Sequence, residues 1–301
     1  MWIYLGLISS LFLGFYDVSK KHALKDNAVL AVLFFSTVFG AVWMLPEIAL
    51  SALAPAQADR LGLYVPMLSP ADHVHFFVKA FIVAASWIFA YFGFKHLPIS
   101  IVSPVRASGP VWTLLGAVIL FHEFPAGIQW IGLFLIIVSY YAFSLIGGKE
   151  GIHFHRDKWV MFIFLSTLIG TCSSLYDKYL IQRRGYPPMA VQAWYFFYLV
   201  LILGVVFAVF WWPVRKKHSA FEWRWTVPAI GFFLAVSDFV YFRALRDPGA
   251  LIVLLSAIRR SNVVFSFFIG SLAFGDVNIL RKALALAGVL AGVLCIVLSV
   301  K

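Results

Sequence analysis

Hydrophobic residues in this chain come in long unbroken runs, separated by short polar breaks. A helix needs about 20 consecutive apolar residues to cross a hydrocarbon core of roughly 30 Å. Runs of that kind at 2–20, 28–50, 74–96, 99–121, 126–147, 159–181, 188–212, 225–245, 249–273 and 280–300 predict ten transmembrane helices. The runs are continuous and lack the short alternating segments of a membrane β-barrel. The longest connection, SALAPAQADRLGLYVPMLSPADH, carries three prolines and is expected at a membrane surface. The most polar connection, GGKEGIHFHRDK, divides the chain into a first unit at 1–148, a connector at 149–158 and a second unit at 159–301. The expected fold class is thus an all-α integral membrane protein.

Composition agrees. Of 301 residues 62% are hydrophobic and only 12% charged, against about a quarter charged in a soluble domain. The first run, WIYLGLISSLFLGFYDV, has no basic leader and no small-residue cleavage site, so it reads as a retained helix. The net charge of +11 comes from scattered loop residues, not from an extended basic run, and carries no nucleic-acid reading. Cys172 and Cys295 both sit in apolar runs as small packing residues.

The two units resemble each other. SPVRASGPVWTLLGAVILFHE, from Ser103 to Glu123, matches SAIRRSNVVFSFFIGSLAFGD, from Ser256 to Asp276. One offset pairs Ser103 with Ser256, Arg106 with Arg259, Ser108 with Ser261 and Glu123 with Asp276, and continues to Gly132 and Ala285. WIYLGLISSLFLGFYDVSKK aligns with WVMFIFLSTLIGTCSSLYDK, setting Ser9 opposite Ser166 and Lys21 opposite Lys178, and AYFGFKHLP resembles VYFRALRDP. Five helices per unit is an odd number, so the second unit enters the membrane from the opposite side. Such two inverted five-helix repeats place a site near the midplane between them.

On these residues the chain resembles the drug/metabolite transporter superfamily, with its EamA-like branch nearest. The resemblance rests on five helices per repeat, on Gly14 followed by Lys21 at the end of the first helix, and on an apolar helix closing at HEF. The second repeat departs from the pattern, with GDV in place of a glutamate and an additional Arg260. The resemblance implies an alternating-access carrier with a central cavity and does not name its cargo. A plain count of Lys and Arg puts the termini outside, whereas the resemblance implies termini in the cytoplasm; the orientation stays open.

Charges inside apolar runs carry the candidate chemistry. An arginine at a helix centre costs about 2.5–3.5 kcal/mol on insertion scales, so it faces a wet cavity or a counter-charge. Arg106 and Arg259 occupy equivalent repeat positions, with Ser103 and Ser256 three residues earlier on the same faces. Arg260 projects about 100° around the helix from Arg259, so at most one of the two is expected to point straight at the centre. One reading pairs these arginines with carboxylates or sends them to the interfaces. The other makes them an anion site, since guanidinium suits carboxylate and phosphate. In the related plastid sugar-phosphate carriers a basic residue on helix four and a basic pair on helix nine hold the phosphate, and Arg106, Arg259 and Arg260 resemble those positions.

Asp238, in LAVSDFVYF, is either a counter-ion for an arginine or a proton-coupling carboxylate, the former being favoured. Asp17 with Lys20, and Asp177 with Lys178, fall at the ends of runs and are expected at interfaces; Lys21 and Lys178 are candidate gates. Tyr91, Tyr241, Trp87 and Trp112 lie on helices that line a cavity in this architecture, and Trp87 and Tyr241 join the substrate-binding candidates. HVH at 73–75 and HFH at 153–155 have only superficial metal-ligand spacing, and neither a metal nor a cofactor is expected. Gly109-Pro110 should loosen its helix beyond Arg106.

The sequence therefore predicts a secondary active transporter of a small polar metabolite, anionic or zwitterionic, in a bacterial cytoplasmic membrane. Its partners are the lipid bilayer and the cargo, with a proton or counter-substrate as coupling species. No nucleotide-binding loop occurs. Two rivals stand: an exporter of amino acids or other neutral metabolites with structural arginines, and a membrane-embedded enzyme or lipid-handling protein.

Overall fold

The computed structural model describes residues 1–97, 102, 105–106, 108–148, 157–215, 220–262, 264–265 and 279–299. Of the positions singled out above, Ser103, Asp276 and the HFH of residues 153–155 lie outside the described residues. The described residues form helices and connecting turns: α1 (Trp2–Leu24), α2 (Val29–Val42), α3 (Leu45–Leu53), α4 (Pro55–Leu61), α5 (Pro70–His96), α6 (Gly109–Phe121), α7 (Gly127–Gly148), α8 (Lys158–Lys178), α9 (Pro188–Val206), α10 (Thr226–Leu245), α11 (Ile252–Arg260) and α12 (Ile279–Ser299). Among the described residues six helical stretches are long and apolar enough to cross a membrane, and Gly109–Phe121, Gly127–Ser139 and Leu286–Ile296 are shorter apolar pieces.

Local chemistry sets the boundaries. At the start of α5 a capping box forms: Asp72 N donates to Ser69 Oγ at 3.3 Å and Ser69 N to Asp72 Oδ2 at 3.2 Å, with Pro70 in the first turn, where its missing N–H costs nothing. Asp157 caps α8 by accepting Trp159 N at 2.7 Å. The run expected at 28–50 is two helices, because Pro46 cannot donate into a continuing helix and instead starts α3. Gly109 and Pro110 open α6, so the expected loosening at this pair is a helix start. At their ends α8 and α9 pass into single π-helical turns, Tyr179–Arg183 and Phe207–Trp211.

Packing runs mainly between the two units. In one seam α1 lies along α10, in another α5 lies along α8, and in a third α7 lies along α12; α2 packs on α9 and α10, α9 on α5, α6 on α8 and α11, and α1 on α11. Each of the first two seams is pinned by serines. Ser9 Oγ donates to Ser237 O and Ser237 Oγ to Ser9 O, both at 2.9 Å; Ser86 Oγ donates to Ser166 O, also at 2.9 Å. Between lipid-solvated helices such hydrogen bonds and close backbone approach supply cohesion, since lipid gives no hydrophobic drive.

Glycine permits the closest approach in the third seam. A Cβ on Gly132 would stand 2.7 Å from Gly292 O, and one on Gly292 would stand 2.6 Å from Gly132 O. Backbone cannot yield as a side chain does. Overpacking costs about 1–3 kcal/mol, so Gly132→Ala should lower the thermal unfolding temperature in detergent, and Gly132→Leu should lower it further. An unchanged midpoint for both would mean that α7 and α12 are not in backbone contact.

Candidate functional site

Helical spacing brings polar positions of several helices to one place. On α5, Lys79, Val83, Ser86, Trp87 and Ala90 share a face; on α8, Ser166, Thr167, Gly170, Ser173, Ser174 and Asp177 do. These faces, with Tyr16 and Lys20 of α1, Arg106, Tyr195 of α9, Asp238 and Tyr241 of α10, and Ser256, Arg259 and Arg260 of α11, enclose a cavity of about 140 Å³. Both units contribute to its wall.

Two ionic clusters stand in and behind that wall. In the first, Arg106 Nη1 lies 3.0 Å from both oxygens of Asp17, Lys20 Nζ donates to Asp17 Oδ1 at 2.9 Å, and Asn262 Nδ2 donates to Asp17 Oδ2 at 2.7 Å. The Lys20 ammonium also rests 3.7 Å from the centre of the Phe94 ring and 4.2 Å from that of Tyr16, where the ring quadrupole attracts it. In the second cluster Arg259 Nη2 donates to Asp238 Oδ1 at 2.8 Å and Tyr195 OH to Asp238 Oδ2 at 2.5 Å. The Arg259 guanidinium lies over the Tyr241 ring at 3.9 Å, and Lys79 Nζ is 2.6 Å from Asp177 Oδ1.

The arginines singled out from sequence thus share one cavity. Arg259 and Arg260 both line it. Their 100° offset sends them to different walls: Arg259 turns to Asp238 on α10, and Arg260 lies over the α6 start, 3.3 Å from where a Cβ on Gly109 would be. Ser256 lines the cavity and its Oγ is 3.3 Å from Thr113 Oγ. Of the aromatic candidates Trp87 and Tyr241 line it. Tyr91 packs behind, fully buried beside Ser36, and Trp112 turns to Phe164 and Ser108.

Asp17, Lys20, Asp177 and Lys178, expected at interfaces, turn into the protein: they are 4%, 1%, 3% and 5% exposed. Ion pairs and directed hydrogen bonds keep their charges inside, where unpaired ends of such length would snorkel outward. The two candidate gate lysines are tied down outside the cavity wall. Lys21 Nζ donates to Phe94 O and Leu97 O at 2.8 Å each, capping the end of α5. Lys178 is bonded to Glu123, whose other oxygen accepts Ile252 N at 3.2 Å. His73 stands edge-on to Trp194 and His75 bonds Tyr176.

Sequence reasoning passed over Lys79 and the hydroxyl stripe of α8. The signal for Lys79 was the one applied to the arginines, a lone cation in the apolar HFFVKAFIV. For α8 it was the recurrence of Ser and Thr at helical spacing towards Asp177.

Comparison with known proteins adds the family. The model of the EamA-like transporter family matches residues 1–145, consistent with the drug/metabolite transporter superfamily. A solved structure described only as "Crystal structure of protein" superposes with a TM-score of 0.68 at 15% identity, covering 99% of this chain and 95% of its own; a likeness at that identity carries the fold alone. No curated protein matches the chain.

Proposed function

We propose, from the premise that residues 1–145 are EamA-like and the chain is an integral membrane transporter of the drug/metabolite type, that it is a secondary active carrier of a small anionic or zwitterionic metabolite. The observation that carries this reading is the cavity between the units, lined by Arg106, Arg259, Arg260, Lys20 and Lys79 together with serine hydroxyls. Guanidinium and ammonium groups gathered around a wet space present donors to an oxyanion, in a low dielectric where each contact is stronger than in water.

Alternating access is supported by the reciprocal seams. The first helix of each unit packs on the third long span of the other, α1 on α10 and α8 on α5, an exchange that two-fold-related repeats would give. Rocking one seam open while the other stays shut exposes the cavity to either side in turn. In this reading Asp238 is the counter-ion that holds Arg259 in place, and Trp87 and Tyr241 supply the flat apolar part of the cargo contact. The membrane is taken to be a bacterial cytoplasmic one.

A thermal-shift screen of the purified protein against carboxylates, phosphate esters, neutral amino acids and sugars tests the cargo class. A ligand at a hundred times its dissociation constant stabilises by about 2.7 kcal/mol, so anions should raise the unfolding temperature by several degrees and sugars should not. Uptake of the best anion into proteoliposomes, recovered intact, then excludes the enzyme reading. Stabilisation by uncharged sugars alone would favour the rival exporter of neutral metabolites with structural arginines.

A further inference from the structure

Asp177 and Asp238, which line the cavity, and Asp17 behind its wall differ in how they are held. Asp17 accepts from Arg106, Lys20 and Asn262, and Asp238 accepts from Arg259 and Tyr195. Asp177 has one charged partner, Lys79, whose Nζ lies 2.6 Å from its Oδ1. Hydrogen bonds to a carboxylate secure its charged form, so Asp177 is the one least secured by donors. Lys79, for its part, has other acceptors: Ser173 Oγ at 2.5 Å and Ser173 O at 3.4 Å. Protonation of Asp177 therefore strands no ammonium.

Further polar pairs stand on the same two helices between this ion pair and the end of the bundle where α5 begins. One turn before Lys79 on α5 is His75, half-buried, whose Nδ1 is 2.9 Å from Tyr176 OH, the neighbour of Asp177 on α8. Beyond it Tyr186 OH donates to Asp72 Oδ1 at 2.5 Å, with exposed Arg184 4.0 Å from the same oxygen. On the inner side the seam continues to Ser86 and Ser166. The partner seam is different: from Ser9 and Ser237 it runs through Phe12 and Phe15 against Phe233, with His22 and Thr226 meeting only at its outer end.

We propose that Asp177, paired with Lys79, is a proton-binding site that exchanges with water through His75 and Tyr176 at the α5 end of the bundle. In the step one proton passes from water to the Asp177 carboxylate, which becomes a carboxylic acid; Lys79 stays an ammonium and turns to Ser173, and no electron moves. Facing groups set its sign. Across the cavity Arg259 opposes the proton and Asp238 favours it, while Tyr241 and Tyr195 complete that wall. On the α8 side Lys178 is already neutralised by Glu123, and Tyr179 and Tyr186 pack against the His75 ring. An anion seated on Arg259 offsets its charge, so cargo and proton load together. The name coupling ion rests on the carrier reading above; the proton site does not.

Infrared difference spectra of the full chain in lipid nanodiscs, titrated with acid and without cargo, test the site. The wild type should develop a carboxylic-acid band that Asp177→Asn removes and Asp177→Glu displaces in frequency. After a pH jump, His75→Phe should keep the band and delay its appearance severalfold. A band that survives Asp177→Asn and ignores Asp177→Glu, as one carried by Asp238 would, or no band at all overturns the site; wild-type kinetics in His75→Phe overturn the route. Because no transport is measured, these results stand or fall separately from the carrier reading.

Discussion

Arg259→Met is expected to cut anion uptake into proteoliposomes by roughly ten- to a hundredfold, the loss of one charge-assisted hydrogen bond of about 1.5–3 kcal/mol. Alone, that result would not separate binding from folding, because Arg259 is also paired with Asp238. Breaking a buried pair from one side costs about 3–5 kcal/mol, whereas replacing both partners by apolar residues is often neutral. Asp238→Leu should therefore unfold well below the wild type, and Arg259→Met with Asp238→Leu should regain most of the stability. Uptake should stay lost in the double variant. Wild-type uptake by a stable double variant would show that the pair serves only structure.

The second large effect lies at Asp17. This single carboxylate answers Arg106 and Lys20 at once, and Lys20 is 1% exposed. Asp17→Leu leaves two cations facing each other in the interior, at a cost of about 3–5 kcal/mol or more, and the protein should fail to accumulate or should melt far below the wild type. Asp17→Asn keeps an acceptor for one of them and should lie between. Size-exclusion profiles and thermal unfolding in detergent measure both. A wild-type midpoint for Asp17→Leu would contradict the placement of this cluster inside the bundle.

How much of this could be read beforehand follows from what hydropathy reports. A run such as that of α5 announces a span because nearly every residue in it is apolar, and Arg106 and Arg259 stand out against such runs. Hydropathy gives depth only along a span and says nothing of which way a side chain faces. Asp17 and Lys20, near the end of the α1 run, therefore read as interfacial, although Arg106 and Asn262 from elsewhere in the chain hold them inside. Lys79 escaped notice for a related reason: a lysine in the first third of a span can snorkel, and only the partner helix, with Asp177 and Ser173, keeps it in.

Serine stripes are harder still. Ser166, Ser173 and Ser174 each cost little in a membrane helix, so only their recurrence at helical spacing, and no single one of them, points to a cavity wall. The repeat alignment set Arg106 and Arg259 toward one centre, and both line the cavity. Ser9 and Ser166, aligned in sequence, each bond a serine of a helix in the other unit, Ser237 and Ser86 respectively. Lys21 and Lys178, aligned likewise, have unlike partners: helix-end carbonyls for one and the Glu123 carboxylate for the other. Equivalent positions in the chain thus meet different chemistry.

The central claim is that a cavity shared by the two units receives an anionic cargo on its arginines. The measurement that bears on it most directly is a structure determined with the anion that gives the largest thermal shift. Density for that anion is expected between α1, α5, α8, α10 and α11, with an oxygen about 3 Å from Arg259 and within reach of Arg106 or Arg260. Density on the outer wall of the bundle, or in the cavity but away from all three arginines, would contradict it.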